Sequence, residues 1–461
     1  MLFSSIPFLF YFLPIVLILY FAVPKKLKNT VLLLSSLFFY GWGEPKFLIF
    51  MLISITQGYV FGLLIEKYQG MKRSKVFLVA SVVFSLSILG YYKYADFFIE
   101  NFNALTGMSV PLLRIALPIG ISFYTFQILS YAVDVYRQDT KAQRNFINLA
   151  AYISMFPQLI AGPIVRYSDI AQQLENRTHS FEKAALGVRR FVMGLSKKIL
   201  LANLLGEVVA VFKESSDSSV LFCWIYAFSY MLHVYFDFSG YSDMAIGLGK
   251  IFGFDFLENF NYPFVSSSVT EFWRRWHMSL GSWFRDYVYI PLGGNRKGVK
   301  RTIINTLIVW SLTGLWHGAA WNFIAWGMFY GVLLIAEKYL LQGFLEKLPK
   351  AVKYMGTMAV VMLGWVFFAS GSLGDALSLI GSMSGFGGSF IDPQAKYLLS
   401  ENIFLIFVMS LSAIGVFEFV SNHQKGKTGK IVEGVGYMLI FALSVAYLIS
   451  ETYNPFLYFR F

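Results

Sequence analysis

Apolar residues in this chain run in long unbroken stretches, neither alternating as in half-buried strands nor confined to one helical face. A helix needs about 20 apolar residues to cross the hydrocarbon of a bilayer, so these runs predict transmembrane helices. Met1 to Val23 is the first; without a basic start or an A-x-A cleavage site it reads as a retained span. Passes are predicted near Thr30 to Phe39 and Phe47 to Leu64, separated by Gly41, Gly43 and Pro45, then at Val76 to Tyr92 and Ile115 to Tyr136. Later ones fall at Phe191 to Phe212, Val220 to Phe236, Tyr354 to Ala369, Ile403 to Val420 and Ile431 to Ile449. Ile303 to Ala336 is one long run broken at Gly314, His317 and Gly318, with both ends on one side. Phe146 to Pro163, interrupted by Pro157, Gly162 and Pro163 and flanked by cations, is expected to be re-entrant, and irregular backbone at that depth implies an internal cavity. Asp237 to Arg301 is the least lipid-like stretch; from Ser266 onward it is expected to be a cytoplasmic segment lying along the interface. The pattern predicts an all-α polytopic membrane protein of roughly ten to twelve transmembrane helices plus re-entrant and interfacial helices. One membrane domain would cover residues 1–450, leaving a tail at 451–461.

Charge adds orientation. Loops rich in Lys and Arg stay in the cytoplasm, so Lys25, Lys26 and Lys28 put the N-terminus outside, and the alternation that follows leaves the C-terminal tail outside as well. The expected location is a cell membrane that the chain crosses many times. Composition sharpens this: 57% of the 461 residues are hydrophobic and 14% charged, which leaves no separate soluble catalytic domain. The net charge of +12 reads as positive cytoplasmic loops, not as nucleic-acid binding. A single cysteine, Cys223, excludes an internal disulfide and a cysteine metal cluster.

Candidate chemistry rests mostly on histidine. His179 and His423 sit in polar stretches and read as solvated loop residues. His317, in Leu315-Trp316-His317-Gly318-Ala319-Ala320-Trp321-Asn322, interrupts a hydrophobic run, where an ionisable side chain is a functional candidate. His277, between Trp273-Arg274-Arg275-Trp276 and Met278, fits an interfacial belt as well as a functional site. His233 and Asp237 share a helical face, with Asp243 following; no second histidine supports a metal site, and a buried polar network is expected. Neither a P-loop nor a G-x-S-x-G elbow is present.

Four motifs carry a family resemblance. Tyr235 to Asp243 (YFDFSGYSD), Phe272 to His277 (FWRRWH), Trp283 to Tyr287 with Ile290 to Arg296 (IPLGGNR), and Leu315 to Gly318 (LWHG) resemble the membrane-bound O-acyltransferase (MBOAT) family. The order matches over most of the chain, and the pattern most resembles the bacterial alginate O-acetyltransferase branch. The resemblance implies helices around a central tunnel, with His317 as the catalytic residue and His277 beside the same passage. An acyl transfer from thioester to hydroxyl needs a base and donors for the oxyanion. His317 is the expected base, with Trp316 and Asn322 as positioning groups and Arg274, Arg275 and Arg285 attracting an anionic donor such as acetyl-CoA or an acylated carrier protein. Neither a bound cofactor nor a metal is expected. The ending Phe456-Leu457-Tyr458-Phe459-Arg460-Phe461 (F-x-Y-x-x-F) resembles tails in which a tyrosine carries the acyl group, making Tyr458 the candidate relay. An extracytoplasmic SGNH-hydrolase-like acyltransferase and a cell-envelope polysaccharide are the partners so implied, in contact with membrane lipid. D-alanyl transfer to teichoic acid, and a transporter or channel, are the alternatives.

Overall fold

The computed structural model describes residues 1–215, 219–386, 388–416, 427–450 and 456–457, with the backbone alone at 427, 428 and 430. His423 and Tyr458 lie outside these residues. Among the described residues every regular element is helical. Seven helices are long and apolar enough to cross a membrane: Pro45–Lys67, Lys72–Thr106, Val220–Ile251, Trp321–Lys347, Lys350–Ala369, Pro393–Ala413 and Ile431–Ser450. Phe8–Ala22 and Leu373–Met383 are apolar but shorter. Ile18, Leu34, Phe404 and Met438 are exposed large hydrophobics, which suits a chain whose outer solvent is lipid. It is a multi-pass membrane protein.

The chain forms two compact units, residues 1–191 with 241–257, and residues 192–240 with 258–461. In the first, the helices Lys28–Gly43 and Leu48–Lys67 part at Glu44, as the glycines and Pro45 predict. The pass expected from Ile115 starts instead at Ile121, because Pro118 and a left-handed Gly120 (φ +77°) hold the preceding residues off the helix. Phe146 to Pro163 becomes two short buried helices, Phe146–Ser154 and Phe156–Leu159, broken at Met155. His179, expected to be solvated, is exposed but bonded to the Tyr20 hydroxyl at 2.9 Å.

One helix runs further than its hydropathy predicts. Val220–Ile251 continues 15 residues beyond Phe236, through Asp237, Ser239, Ser242 and Asp243, all buried. Each carboxylate has its own cation. Asp237 meets Lys198 at 2.6 Å in the second unit, and Asp243 meets Arg190 at 2.7 Å in the first. His233 is bonded through Nδ1 to the Ala202 carbonyl at 2.7 Å, so the three groups serve separate partners.

In the second unit the broken run Ile303 to Ala336 is a helical hairpin, Gly298–His317 and Trp321–Ala336, joined through Gly318 to Ala320. Glycine sets its spacing. A Cβ on Gly327 would collide with the Trp310 carbonyl oxygen, and one on Gly314 with that of Phe323. Tyr330, fully buried, donates from the same hairpin to the Val361 carbonyl at 3.2 Å and so ties in Lys350–Ala369. Overpacking of this kind costs ~1–3 kcal/mol, so Gly327→Ala is expected to lower the melting temperature of the detergent-purified protein. Gly356→Ala, in a helix where the added Cβ meets nothing within 4 Å, should leave it unchanged or raise it. Equal melting temperatures for the two variants, followed by tryptophan fluorescence, would remove the packing argument.

Candidate functional site

The site is built where two short helices meet the hairpin of the second unit. Val269–Arg275 begins at Ser268, whose hydroxyl accepts from Glu271 N–H. The Glu337 carboxylate accepts the free amides of Val269 and Thr270, each at 2.8 Å, which satisfies donors that a helix start leaves open. The chain then turns at His277 into Met278–Phe284.

His277 holds a left-handed backbone (φ +45°, ψ +51°) unusual for a side chain with a Cβ. Asn259 keeps it there at two points. Its carbonyl accepts Met278 N–H at 3.0 Å, and its side-chain Oδ1 accepts from His277 Nδ1 at 3.0 Å. The orientation of that amide is fixed independently, because Ser279 donates to the same oxygen from its hydroxyl at 2.8 Å and its backbone N–H at 3.4 Å. The proton of neutral His277 therefore sits on Nδ1, and Nε2 is a lone pair. Nε2 is buried and has no hydrogen-bond partner among the described residues. Burial holds the imidazole below its ordinary pKa and so neutral.

His317 closes the Gly298–His317 helix and is buried. Its ring centroid lies 6.5 Å from that of His277. Trp316 at 5.0 Å, Trp326 at 5.0 Å and Phe368 at 5.3 Å surround it, each nearly edge-on. Phe238 packs edge-on against His277 at 4.7 Å. The indole N–H groups of Trp326 and Trp365, like Asn322 Oδ1, are buried without a partner among the described residues.

A cavity of about 850 Å³ opens beside this pair. Trp273, Trp276, Trp310 and His277 line it, together with Arg274, Arg285, Lys338 and Lys353 against Glu337 and Glu346. Four cations face two carboxylates, and Arg274 has no ionic partner among the described residues. Arg285 shares its charge with Asp286 at 2.7 Å.

His277, His317 and Trp316 thus come together, and Arg274 and Arg285 reach the cavity. Arg275 does not. It is tied to Glu271 at 3.0 Å and to the Asn261 carbonyl at 3.2 Å. Asn322 turns its amide to the carbonyls of Phe367 and Ser370, at 3.3 and 2.9 Å, bridging to the neighbouring helix. Of the two readings open for His277, its burial inside the protein, with 2% of the residue exposed, suits a site residue better than a solvent-facing belt. Asn259 and Trp326 were not legible as site residues, since a lone asparagine in a loop and a tryptophan in an apolar helix carry no motif. Tyr458 lies outside the described residues, although Phe456 is buried just before it.

Comparison with known proteins places this geometry in a family. The profile of the MBOAT, membrane-bound O-acyltransferase family matches residues 34–373. The chain is similar to "Probable alginate O-acetylase AlgI" of Azotobacter vinelandii, 39% identical over the full length of both. It is 34% identical to "Peptidoglycan O-acetyltransferase" of Helicobacter pylori, over 84% of this chain and 80% of that one. To "Teichoic acid D-alanyltransferase" of Bacillus subtilis it is 29% identical, over 51% of this chain and 62% of that one. The chain belongs to the MBOAT family and is a membrane O-acyltransferase of the O-acetyltransferase type.

If Asn259 sets the tautomer of a working imidazole, Asn259→Ala is expected to lower acyl transfer by about tenfold or more while the protein still purifies as a folded monodisperse species. Wild-type turnover in that variant would make the Asn259 contact purely architectural.

Proposed function

We propose that the chain moves an acetyl group from a cytoplasmic thioester to an extracytoplasmic polysaccharide, with Tyr458 carrying it between the two. The observation that carries this reading is the cavity of about 850 Å³ with a surplus of cations in its walls and His277 in its lining, its ring 6.5 Å from that of His317. A thioester such as acetyl-CoA or an acylated carrier brings phosphate to such a mouth. Arg274, Lys338 and Lys353 are the cations suited to it, since among the described residues none of them has an ion pair, whereas Arg285 is held by Asp286.

In the reaction the phenolic O–H of Tyr458 gives its proton to His317 as oxygen attacks the thioester carbon, and the C–S bond breaks. The proton passes from the imidazole to the departing sulfur, so thiol leaves and an aryl ester remains. The negative charge on the carbonyl oxygen needs donors in place beforehand. The Trp326 indole N–H, beside His317 and without a hydrogen-bond partner among the described residues, is the group suited to that task. His277 Nε2, a lone pair, positions the donor by accepting one of its N–H groups. A phenol of pKa about 10 leaves more readily than a sugar hydroxyl, so onward transfer runs downhill. An SGNH-hydrolase-like partner outside the membrane would complete it.

His317→Ala is expected to reduce acylation by about 10²–10⁴-fold, and Tyr458→Phe, which deletes one oxygen, to abolish it. Mass spectrometry of the C-terminal peptide and of the envelope polymer checks both and reads the acyl mass, acetyl or D-alanyl. Full activity of Tyr458→Phe with no acyl-tyrosine in wild type would leave His317 serving another acceptor.

The direction of transfer is checked separately. In a background lacking Cys223, a cysteine at Ser372 should react with an impermeant thiol reagent from outside intact cells, and one at Lys427 only after lysis. The reverse pattern would invert the orientation.

A further inference from the structure

The motif around Asp237 holds a group that the reaction as described does not use. Asp237 is fully buried in the middle of Val220–Ile251, and its partner Lys198 is nearly so, with Nζ to Oδ1 at 2.6 Å. Lys198 lies on a wide helical turn, Lys197–Ala202, and Gly240, one turn beyond Asp237, lets this pair of helices approach closely: a Cβ there would come within 2.7 Å of the Gly194 carbonyl oxygen. The second carboxylate oxygen of Asp237 faces elsewhere. Oδ2 accepts the backbone N–H of Leu457 at 2.8 Å, from 220 residues away in the chain.

The neighbouring tail residue follows the same path. Phe456 is 2% exposed and packs on Phe238 at 5.8 Å, and Phe238 stands edge-on to His277 at 4.7 Å. Asp237 and Phe238 are adjacent in sequence, so one helical turn holds the tail by its backbone and by its side chain. We propose that Asp237, charge-balanced by Lys198, is a latch that seats the C-terminal tail beside the histidine site.

A buried ion pair is an inefficient source of stability, since apolar residues of similar volume often do as well or better. What it provides is direction. Lys198 partners the carboxylate at depth, and charge-assisted hydrogen bonds to an amide N–H are stronger than neutral ones. The contact is to backbone, so it sets the register of the tail without regard to the side chain at 457. Tyr458 is the next residue in sequence, and the consequence for turnover rests on the proposal that it is the acyl acceptor. The docking itself does not.

Docking is read with Leu457→Cys in a Cys223→Ala background, using the rate of maleimide labelling in membranes. The paired change Asp237→Leu with Lys198→Met removes the latch without leaving a buried charge alone, and should speed labelling about tenfold to a hundredfold, the range for a charge-assisted hydrogen bond. Equal rates with and without the pair overturn the latch. Turnover gives a second reading that leaves the core untouched. Leu457→Pro deletes the N–H donor, whereas Leu457→Ala shortens the side chain and keeps it. The proline variant should lose at least about tenfold in kcat relative to the alanine variant, with KM for the thioester equal in the two. Equal kcat in the two variants, where Tyr458→Phe is inactive, overturns the role in positioning. If Tyr458→Phe is active the acceptor reading fails, and the labelling rates still decide whether the tail is latched.

Discussion

Hydrocarbon offers a polar group no partner, so whatever the interior of a membrane protein buries must be satisfied by the protein itself. This constraint explains how one helix can carry Asp237 and Asp243 and keep both buried. Each carboxylate is met by a cation from the same compact unit, Lys198 or Arg190. Buried polar atoms without a partner among the described residues also occur, and three of them lie around the histidine pair. His277 Nε2, the indole N–H of Trp326 and Asn322 Oδ1 are buried without partners among the described residues.

Backbone approach is the second half of the same design. Where helices pack without water to expel, small residues bring them close. Gly314 and Gly327 let the hairpin close upon itself, so that His317 ends its helix facing Trp326 on the return strand of the hairpin. The tryptophans then fill the volume that a hydrated site would leave to solvent. Trp273, Trp310 and Trp326 stack edge to face within 4.6 to 6.3 Å of one another. Trp273 and Trp310 of this cluster also line the cavity beside His277.

Most of this was legible in the order of residues. Prolines and glycines marked the breaks at Glu44 and at Gly318, and a histidine inside an apolar run marked itself. What sequence could not show was pairing. Asp237 to Ile251 read as leaving the membrane because hydropathy counts each charge as solvated, whereas an ion pair 39 residues apart removes that charge from the count. Arg274 and Arg275 were indistinguishable as letters. One helical step sends the first to the cavity and the second to Glu271. The tryptophans and arginines around His277 fit an interfacial belt as well as a site, and the fold separates them, burying Trp276 and His277 while Arg274 stays exposed. Asn259 had no signal at all, since its role comes from a contact 18 residues away.

That contact also bears on why the histidine is placed where it is. A side chain with a Cβ in the left-handed region is strained, by about 1–3 kcal/mol, and persists only where its surroundings over-determine it. Asn259 supplies such surroundings through its carbonyl and its side chain together. Had the fold needed only an apolar filler between Phe238 and Trp316, a glycine or asparagine at the turn would have met the backbone at less strain. The strain is tolerated because it delivers an imidazole whose proton is spoken for on one nitrogen and whose other nitrogen is a lone pair with no partner among the described residues. Fixing the tautomer before substrate arrives means that no reorganisation is needed at the moment of transfer. The tail amide held by Asp237 is settled in the same manner, by a charge already balanced. The His277 ring and the tail amide are therefore both held by contacts that are in place before any substrate binds.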